Sequence, residues 1–534
     1  MKNAEVFNDY DMVVCMTQKT INDQLTHLTR MGIIRSELIL VQKVDRKTRS
    51  YVYDVLDSSD QLPTDGNTAY IDGFITPQVS ITDSGTSLTF VLSFRSGTAN
   101  LWQGSGPLAE LVQYDMTGWK YGIPVFLDLK AVEKEDIAKN LKVPDLVKQQ
   151  LYSFTSNLFT VNHLFMDFES TDLMRFDPSH TDTKSAGDEG IQALAQFMSF
   201  YLKWLVSSGN PYILGYSLTT TDRTNYDPDQ NVPDSLRPVG TTYSMYFDPK
   251  YPDLSNLNFV LATKGGHKSI AGTPGNFDTN WISPTDQCDA KMIYSHTCLI
   301  EQFFLRPFFD QLRTGVYNQI KDQINIEGND YDHAKAATAT GYKYTIANQT
   351  AGDDQYTNIW TADLVTKAST VVINLAGDLI FYKHVDRNMG VCQATAWASG
   401  SLSWTSSITL SVSKNKQGQP SLAVSQSPVS ITNSKQDSSQ NDCAKGFAVI
   451  GKILGTILDA LTFFQDKGFF SNLIDKAFDL HTPGIGNVGA VFNNLGNSIG
   501  TVIILPAGQV FFFKTPAIDS LGNLAMQLTY KAEN

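Results

Sequence analysis

The chain is 534 residues long, 42% apolar and 18% charged, with a formal net charge of −13. Those totals exclude a disordered or collagen-like chain and leave room for two to four domain-sized units. Residues 1–300 hold 24 basic and 35 acidic side chains, a net of −11. No Lys/Arg stripe interleaved with aromatics is read along them, so nucleic acid is not an expected partner.

The opening MKNAEVFNDYDMVV has no apolar stretch of useful length before its acids. No signal peptide is expected, which predicts a cytoplasmic protein or one released by a non-classical route. Val14, Ile21, Leu25, Leu28 and Met31 follow at helical spacing, with Asp9 placed to cap that helix and Gly32 to end it.

Strands come next. Leu88, Phe90, Leu92 and Phe94 alternate with small or polar residues, as do Tyr243, Met245 and Phe247, and later Ile408, Leu410 and Val412. Period-two alternation buries one face and wets the other, which is the pattern of antiparallel sheet. Further strands are read at 36–55, 124–129, 164–169, 212–220, 257–263, 342–347, 370–375 and 377–384, with shorter helices at 133–154 and 189–206. Flexible stretches are expected at 170–190, 222–240, 265–286 and 433–442.

A second long helix is read from Leu305, Phe309, Leu312, Val316, Ile320 and Ile324, with Pro307 predicting a kink or a late start. A third comes from GFAVIGKILGTILDALTFF at 446–464, which is nearly apolar enough to suggest a membrane span. Lys445, Lys452, Asp459 and Asp466 interrupt it every seven residues, too often for the roughly 20 apolar residues a span needs. Phe447, Ile450, Leu454, Ile457, Leu461 and Phe464 form its apolar stripe. Burying them would contribute at most about 9–18 kcal/mol, so this helix is expected to dock on something apolar.

Motifs for chemistry are weak. GIGNVGA at 484–490 matches a dinucleotide fingerprint but lacks the preceding strand and the acid some twenty residues on. DPDQNVPD at 227–234 has calcium-loop spacing without its glycine or final acid. Asp167, Glu169 and Asp172 could form a paired-carboxylate site, with solvated loop acids as the default. The eight histidines make no metal pair. Neither a cofactor nor a metal is expected, and the chain is read as a non-enzymatic protein. Cys15, Cys288, Cys298, Cys392 and Cys443 are scattered, which predicts free and mostly buried thiols; a Cys288–Cys298 bridge is the alternative left open.

Four segments together resemble a known family. NDYDMVVCMTQKTINDQLTHL is similar to its first helix. TTYSMYFDPKYPDLSNLNFVLATKGG, followed by MIYSHTCLIEQFFLRPFFDQL, is similar to its central strand and the helix after it. TVIILPAGQVFFFKTPAIDSLGNLAMQLTY is similar to its closing hairpin. The family is the forty-seven-kilodalton accessory proteins of clostridial neurotoxin gene clusters and their Orf-X relatives. Asp9-Tyr10-Asp11 departs from the Gly-Trp that family members tend to show there. The resemblance implies a bacterial, toxin-associated accessory protein of the tubular lipid-binding (TULIP) superfamily.

The expected fold class is therefore α+β, with long amphipathic helices wrapped by strongly curved antiparallel sheets. At least two helix-plus-sheet units are expected, 1–295 and 296–534, the second with a closing hairpin. The expected function is binding of a lipid or other hydrophobic ligand in an apolar groove. Its lining would be Val14, Ile21, Leu25, Leu28, Leu312, Val316, Ile320, Ile450, Leu454, Ile457 and Leu461. The alternative is a structural platform in a toxin complex, without bound lipid, whose partners are toxin-complex proteins. Either reading leaves peripheral membrane contact open and expects no transmembrane segment.

Overall fold

The computed structural model describes residues 10–530 apart from 46, 48–49, 105–107, 154–158, 170–171, 173, 185, 221–237, 264–279, 322–331, 339, 352, 415–419, 466–471, 473–502 and 509–510. Asp9, Ile324, the GIGNVGA and DPDQNVPD motifs, and most of 222–240 and 265–286 lie outside the described residues.

The chain begins with β1 (Met12–Thr17), α1 (Gln18–Arg30), β2 (Glu37–Val44), β3 (Tyr51–Val55), β4 (Tyr70–Ile81), β5 (Ser87–Gln103) and β6 (Glu110–Asp115). It continues with β7 (Lys120–Val132), α2 (Lys134–Lys139), α3 (Asp145–Ser153), β8 (Phe159–Asp167), α4 (Gly187–Ser207) and β9 (Ile213–Thr220). Then follow β10 (Pro238–Tyr246), β11 (Asn256–Thr263), β12 (Ala290–Tyr294), a π-helical stretch His296–Leu305 and α5 (Arg306–Ile320). After these come β13 (Asp332–Thr338), β14 (Gly341–Ala351), β15 (Asp354–Lys367), β16 (Thr370–Asn388) and β17 (Gln393–Lys414). The chain closes with β18 (Pro420–Gln426), β19 (Ser430–Gln440), α6 (Asp442–Lys445), α7 (Ala448–Gln465), β20 (Ile503–Ile504), β21 (Phe511–Ile518) and β22 (Leu524–Tyr530).

Three antiparallel sheets result. The first runs β20-β9-β8-β7-β5-β4-β2-β3, with β6 also on β5; the second runs β13-β14-β15-β16-β17-β18, with β19 also on β17. The third, β10-β11-β1-β12-β22-β21, joins the two ends of the chain. The architecture is α+β and dominated by antiparallel strands, with a sheet curled into a half-barrel. Burial along β4 and β15 alternates residue by residue, so each presents one dry face.

Several expectations need correction. Val14 does not sit on a helix. MVVCMT is a strand buried on both faces, so its apolar run is continuous and shows no strand period. Val14 faces the main core, while Val13 and Cys15 face a separate cluster with Val260, Trp281 and Ile293. The helix starts only at Gln18, capped by Thr17, whose side chain accepts from Thr20 N at 3.1 Å. It ends where expected, just before Gly32 at φ +72°. Pro307 stands where the π-helical stretch passes into α5, so the helical run starts before the proline and changes its hydrogen-bond pattern there instead of starting late.

The polar run at 433–442 is not a flexible stretch; most of it is β19, paired along β17. Almost every residue of β19 is exposed, so backbone ladder bonds hold it without an apolar face. The cysteine reading also changes. Cys392 and Cys443 are disulfide-bonded with Cα atoms 6.1 Å apart, whereas Cys288 and Cys298 remain thiols, as does Cys15. A separation of 51 residues hides this pair from any spacing rule, because the β16–β17 turn is what brings Cys392 to the start of α6.

Candidate functional site

Apolar surface is left over along α7, beside the structure that seats it. Asn441 initiates the seating. Its Oδ1 accepts from Ala444 N at 2.8 Å, capping α6, and from Thr395 N at 3.2 Å, while its Nδ2 donates to Gln393 O at 2.9 Å. The Cys392–Cys443 bridge lies beside this contact, so α6 is fastened twice to the start of β17. From there α7 runs against β17 and β19 and approaches α5.

Only part of α7 is buried. Ile450 and Leu454 are 0% and 6% exposed, but Val449 is 57% exposed, and Phe447, Ile453 and Leu458 are half-buried. A helix apolar on most sides is normally covered on most sides. No helix among the described residues is long and apolar enough to cross a membrane.

Beneath α5 the second sheet presents an aromatic interior. Phe309 stacks on Trp360 with centroids 5.6 Å apart and tilts against Tyr344 at 4.5 Å. Trp404 is fully buried and lies across its cross-strand neighbour Gly377, where a Cβ would overlap the indole. The glycine is thus a packing requirement, since it makes room for the ring in the middle of a long strand.

The residues singled out for a groove divide as follows. Ile21, Leu25, Leu28, Leu312, Val316 and Ile450 are each no more than 1% exposed, and with Val14 and Leu454 they belong to one continuous core. The side chains of Ile320, Ile457 and Leu461 lie outside the described set. A cavity of about 520 Å³ opens on the outer face of the second sheet, lined by polar residues including Asp363, Asn374, Thr405 and Ser407. Another, of about 340 Å³, brings Glu169 and Asp172 together with Lys203 over Phe168, Met174 and Val206. Asp167 and Asp172 also cap local turns, accepting from Glu169 N at 2.9 Å and Met174 N at 3.2 Å. The described lining of neither cavity includes a helix-stripe residue.

Nucleophilic chemistry finds little support at the thiols. Burial pushes the Cys15 and Cys298 thiols well above the usual range and Cys288 up to about 11, so none is poised as a thiolate near neutral pH. Among the described residues no cluster of His, Cys, Asp and Glu is arranged to hold a metal.

These features define an antiparallel α+β protein with apolar helices laid against curled sheet. No protein-family model and no curated protein sequence matches the chain. Among solved structures, P47 of Clostridium botulinum E1 is similar over 98% of this chain and 100% of its own, at 10% identity and a TM-score of 0.45. A lipopolysaccharide binding protein is similar over 98% and 99%, at 8% identity and a TM-score of 0.31. At those scores neither likeness carries an argument about ligand or activity.

Proposed function

We propose that this is a non-enzymatic protein of the tubular lipid-binding type, taking a lipid or other hydrophobic ligand along the uncovered side of α7. The observation that carries the reading is the mismatch between α7's composition and its burial. Val449 and Ile453, one turn apart on the same side of the helix, leave apolar surface at the edge of a curled sheet, and an acyl chain laid there would remove it from water. In this reading the bridge at Cys443 fixes the start of the helix, so the ligand meets a pre-formed edge. A structural disulfide also suits a protein that leaves the reducing cytoplasm, in keeping with an accessory protein released alongside a toxin.

A second reading, a platform for toxin-complex proteins, draws on a different observation. The stripes of α1 and α5 are filled core, with Ile21, Leu25, Leu28, Leu312 and Val316 at most 1% exposed.

Native mass spectrometry of the full chain, with lipid extraction and uptake from offered vesicles, separates the two. The carrier predicts bound lipid that falls by about tenfold or more in V449D/I453D, whose sites are not fully buried. A bare protein mass and no uptake would replace the carrier by the platform.

A further inference from the structure

The hairpin of β2 and β3 ends in an uncovered apolar tip. Val44 is 60% exposed, Tyr51 59% and Val52 41%. Register sets Val44 opposite Tyr51 and Lys43 opposite Val52. Neighbouring pairs along a strand point to opposite faces, so apolar side chains project from both faces of the tip. β3 is also the last strand of its sheet.

The base of the hairpin, in contrast, is firmly held. Tyr53 meets Phe197 edge-on at 5.1 Å and stacks on Phe200 at 5.5 Å, both on α4. Its Oη accepts from Gln42 Nε2 at 2.8 Å and donates to Gln196 Oε1 at 2.9 Å. The turn is closed by Asp45 N donating to Ser50 O at 2.9 Å and by Lys47 N donating to Asp45 Oδ1 at 2.8 Å. The exposed residues therefore crown an anchored projection.

Charge points to the partner. By sequence, residues 43–52 hold four basic side chains and one acidic, in a chain of net charge −13. The acid, Asp45, is engaged in the turn, and Lys43 pairs with Asp54 at 2.6 Å, while Lys47 is exposed. The segment KVDRKTRSYVY is thus a local basic cluster followed by two tyrosines, not a stripe interleaved with aromatics. A net of −11 over residues 1–300 concealed it.

We propose that this tip docks the protein on an anionic lipid surface, placing Val44, Tyr51 and Val52 at the interface with Lys47 at headgroup level. A flat protein partner would cover one face of the tip and leave the other wet. Nucleic acid would reward the cations and not the valines. A fluid interface surrounds both faces, accommodates tyrosine at the headgroup boundary and attracts the cations. The proposal does not depend on a ligand at α7, and the substitutions below leave that helix untouched.

The test is co-sedimentation of the full chain with vesicles of phosphatidylcholine alone or mixed with phosphatidylserine, at low and high salt. Binding is expected on the mixed vesicles and weakens with salt. V44S/Y51S/V52S should lower it by about tenfold or more, and K47E by roughly fivefold for each unit of charge changed. Y51W should blue-shift its emission with mixed vesicles. All these sites are exposed, so thermal unfolding followed by circular dichroism should stay unchanged. No vesicle binding, equal binding by the triple variant, or an unshifted Y51W emission would each overturn the proposal. Duplex DNA binding that survives the triple variant would replace it with a purely electrostatic nucleic-acid site.

Discussion

Asn22 binds both backbone polar groups of Val79: Nδ2 donates to Val79 O at 3.1 Å, and Oδ1 accepts from Val79 N at 2.7 Å. β2 pairs with β4 only as far as Phe74, and among the described residues no strand flanks the later residues of β4 on that side. The side chains of α1 continue the ladder there, and one turn earlier Gln18 Oε1 accepts from Ile81 N at 2.7 Å. The helix is thereby fixed in register on a sheet edge by hydrogen bonds as well as by Ile21, Leu25 and Leu28. Asn22→Leu should cost about 2–3 kcal/mol, because it removes two bonds and strands the Val79 N–H and C=O. Urea unfolding at neutral pH measures it, and a loss below about 0.5 kcal/mol would mean water replaces the amide.

Gly377 and Trp404 give a second prediction from their register. The indole occupies the space a Cβ would take, so Gly377→Ala should destabilise by about 1–3 kcal/mol through overpacking, despite alanine's smaller backbone entropy. Adding Trp404→Leu should recover part of the loss, since the smaller side chain frees that space. Thermal melts of the two single variants and the double variant show whether the effects are coupled.

What could be read from the sequence followed physical period. Alternation at Leu88–Phe94 and at Ile408–Val412 marks β5 and β17, and the stripe through Phe309, Leu312 and Val316 marks α5, whereas β4 and β15, whose burial alternates as clearly, are missing from that reading. β1 defeated the same rule: with both faces buried, MVVCMT has no strand period, and helical spacing from Ile21 onward drew Val14 into the helix. β19 failed for the opposite reason, since a fully wet strand has no apolar period at all. The bridge could not be found from spacing, because a turn and a cap asparagine create its proximity. Stripes correctly signalled burial at Ile21, Leu312 and Ile450. They could not signal that Val449 would stay exposed, because exposure depends on what stops short of covering it.

The bridge makes its own prediction. It closes a loop of 51 residues, for which chain entropy gives about 4 kcal/mol and native bridges typically deliver about 2–4. C392S/C443S should lower stability by that amount, with the local signature in α7. Hydrogen exchange across 448–465 should quicken first, while β4 and β5 keep their protection. Uniform acceleration over the whole chain would instead mean that α7 unfolds only with everything else.

Asp177 should make stability depend on pH at the acid end. Its side chain is 17% exposed, and partial burial alone would raise its pKa. Hydrogen bonds from Ser179, Thr89 and His180 outweigh that and bring it down to about 2. The contacts are short: Ser179 Oγ at 2.6 Å, Thr89 Oγ1 at 2.8 Å and His180 Nδ1 at 2.7 Å from the carboxylate. They pin the 177–182 turn to β5 and β7, where Asp177 N also donates to Gly122 O at 2.8 Å. A folded value below the unfolded one, about 3.9, stabilises the fold above pH 4. That contribution fades as pH falls from about 4 to about 2 and is absent below. With one side of the carboxylate near solvent, its size is at most about 2 kcal/mol. Asp177→Asn keeps the shape and removes the titration, so its stability should fall less steeply than wild type across this range. Unfolding free energies measured at several pH values decide the matter: parallel curves for the two proteins would show that other carboxylates carry the acid sensitivity.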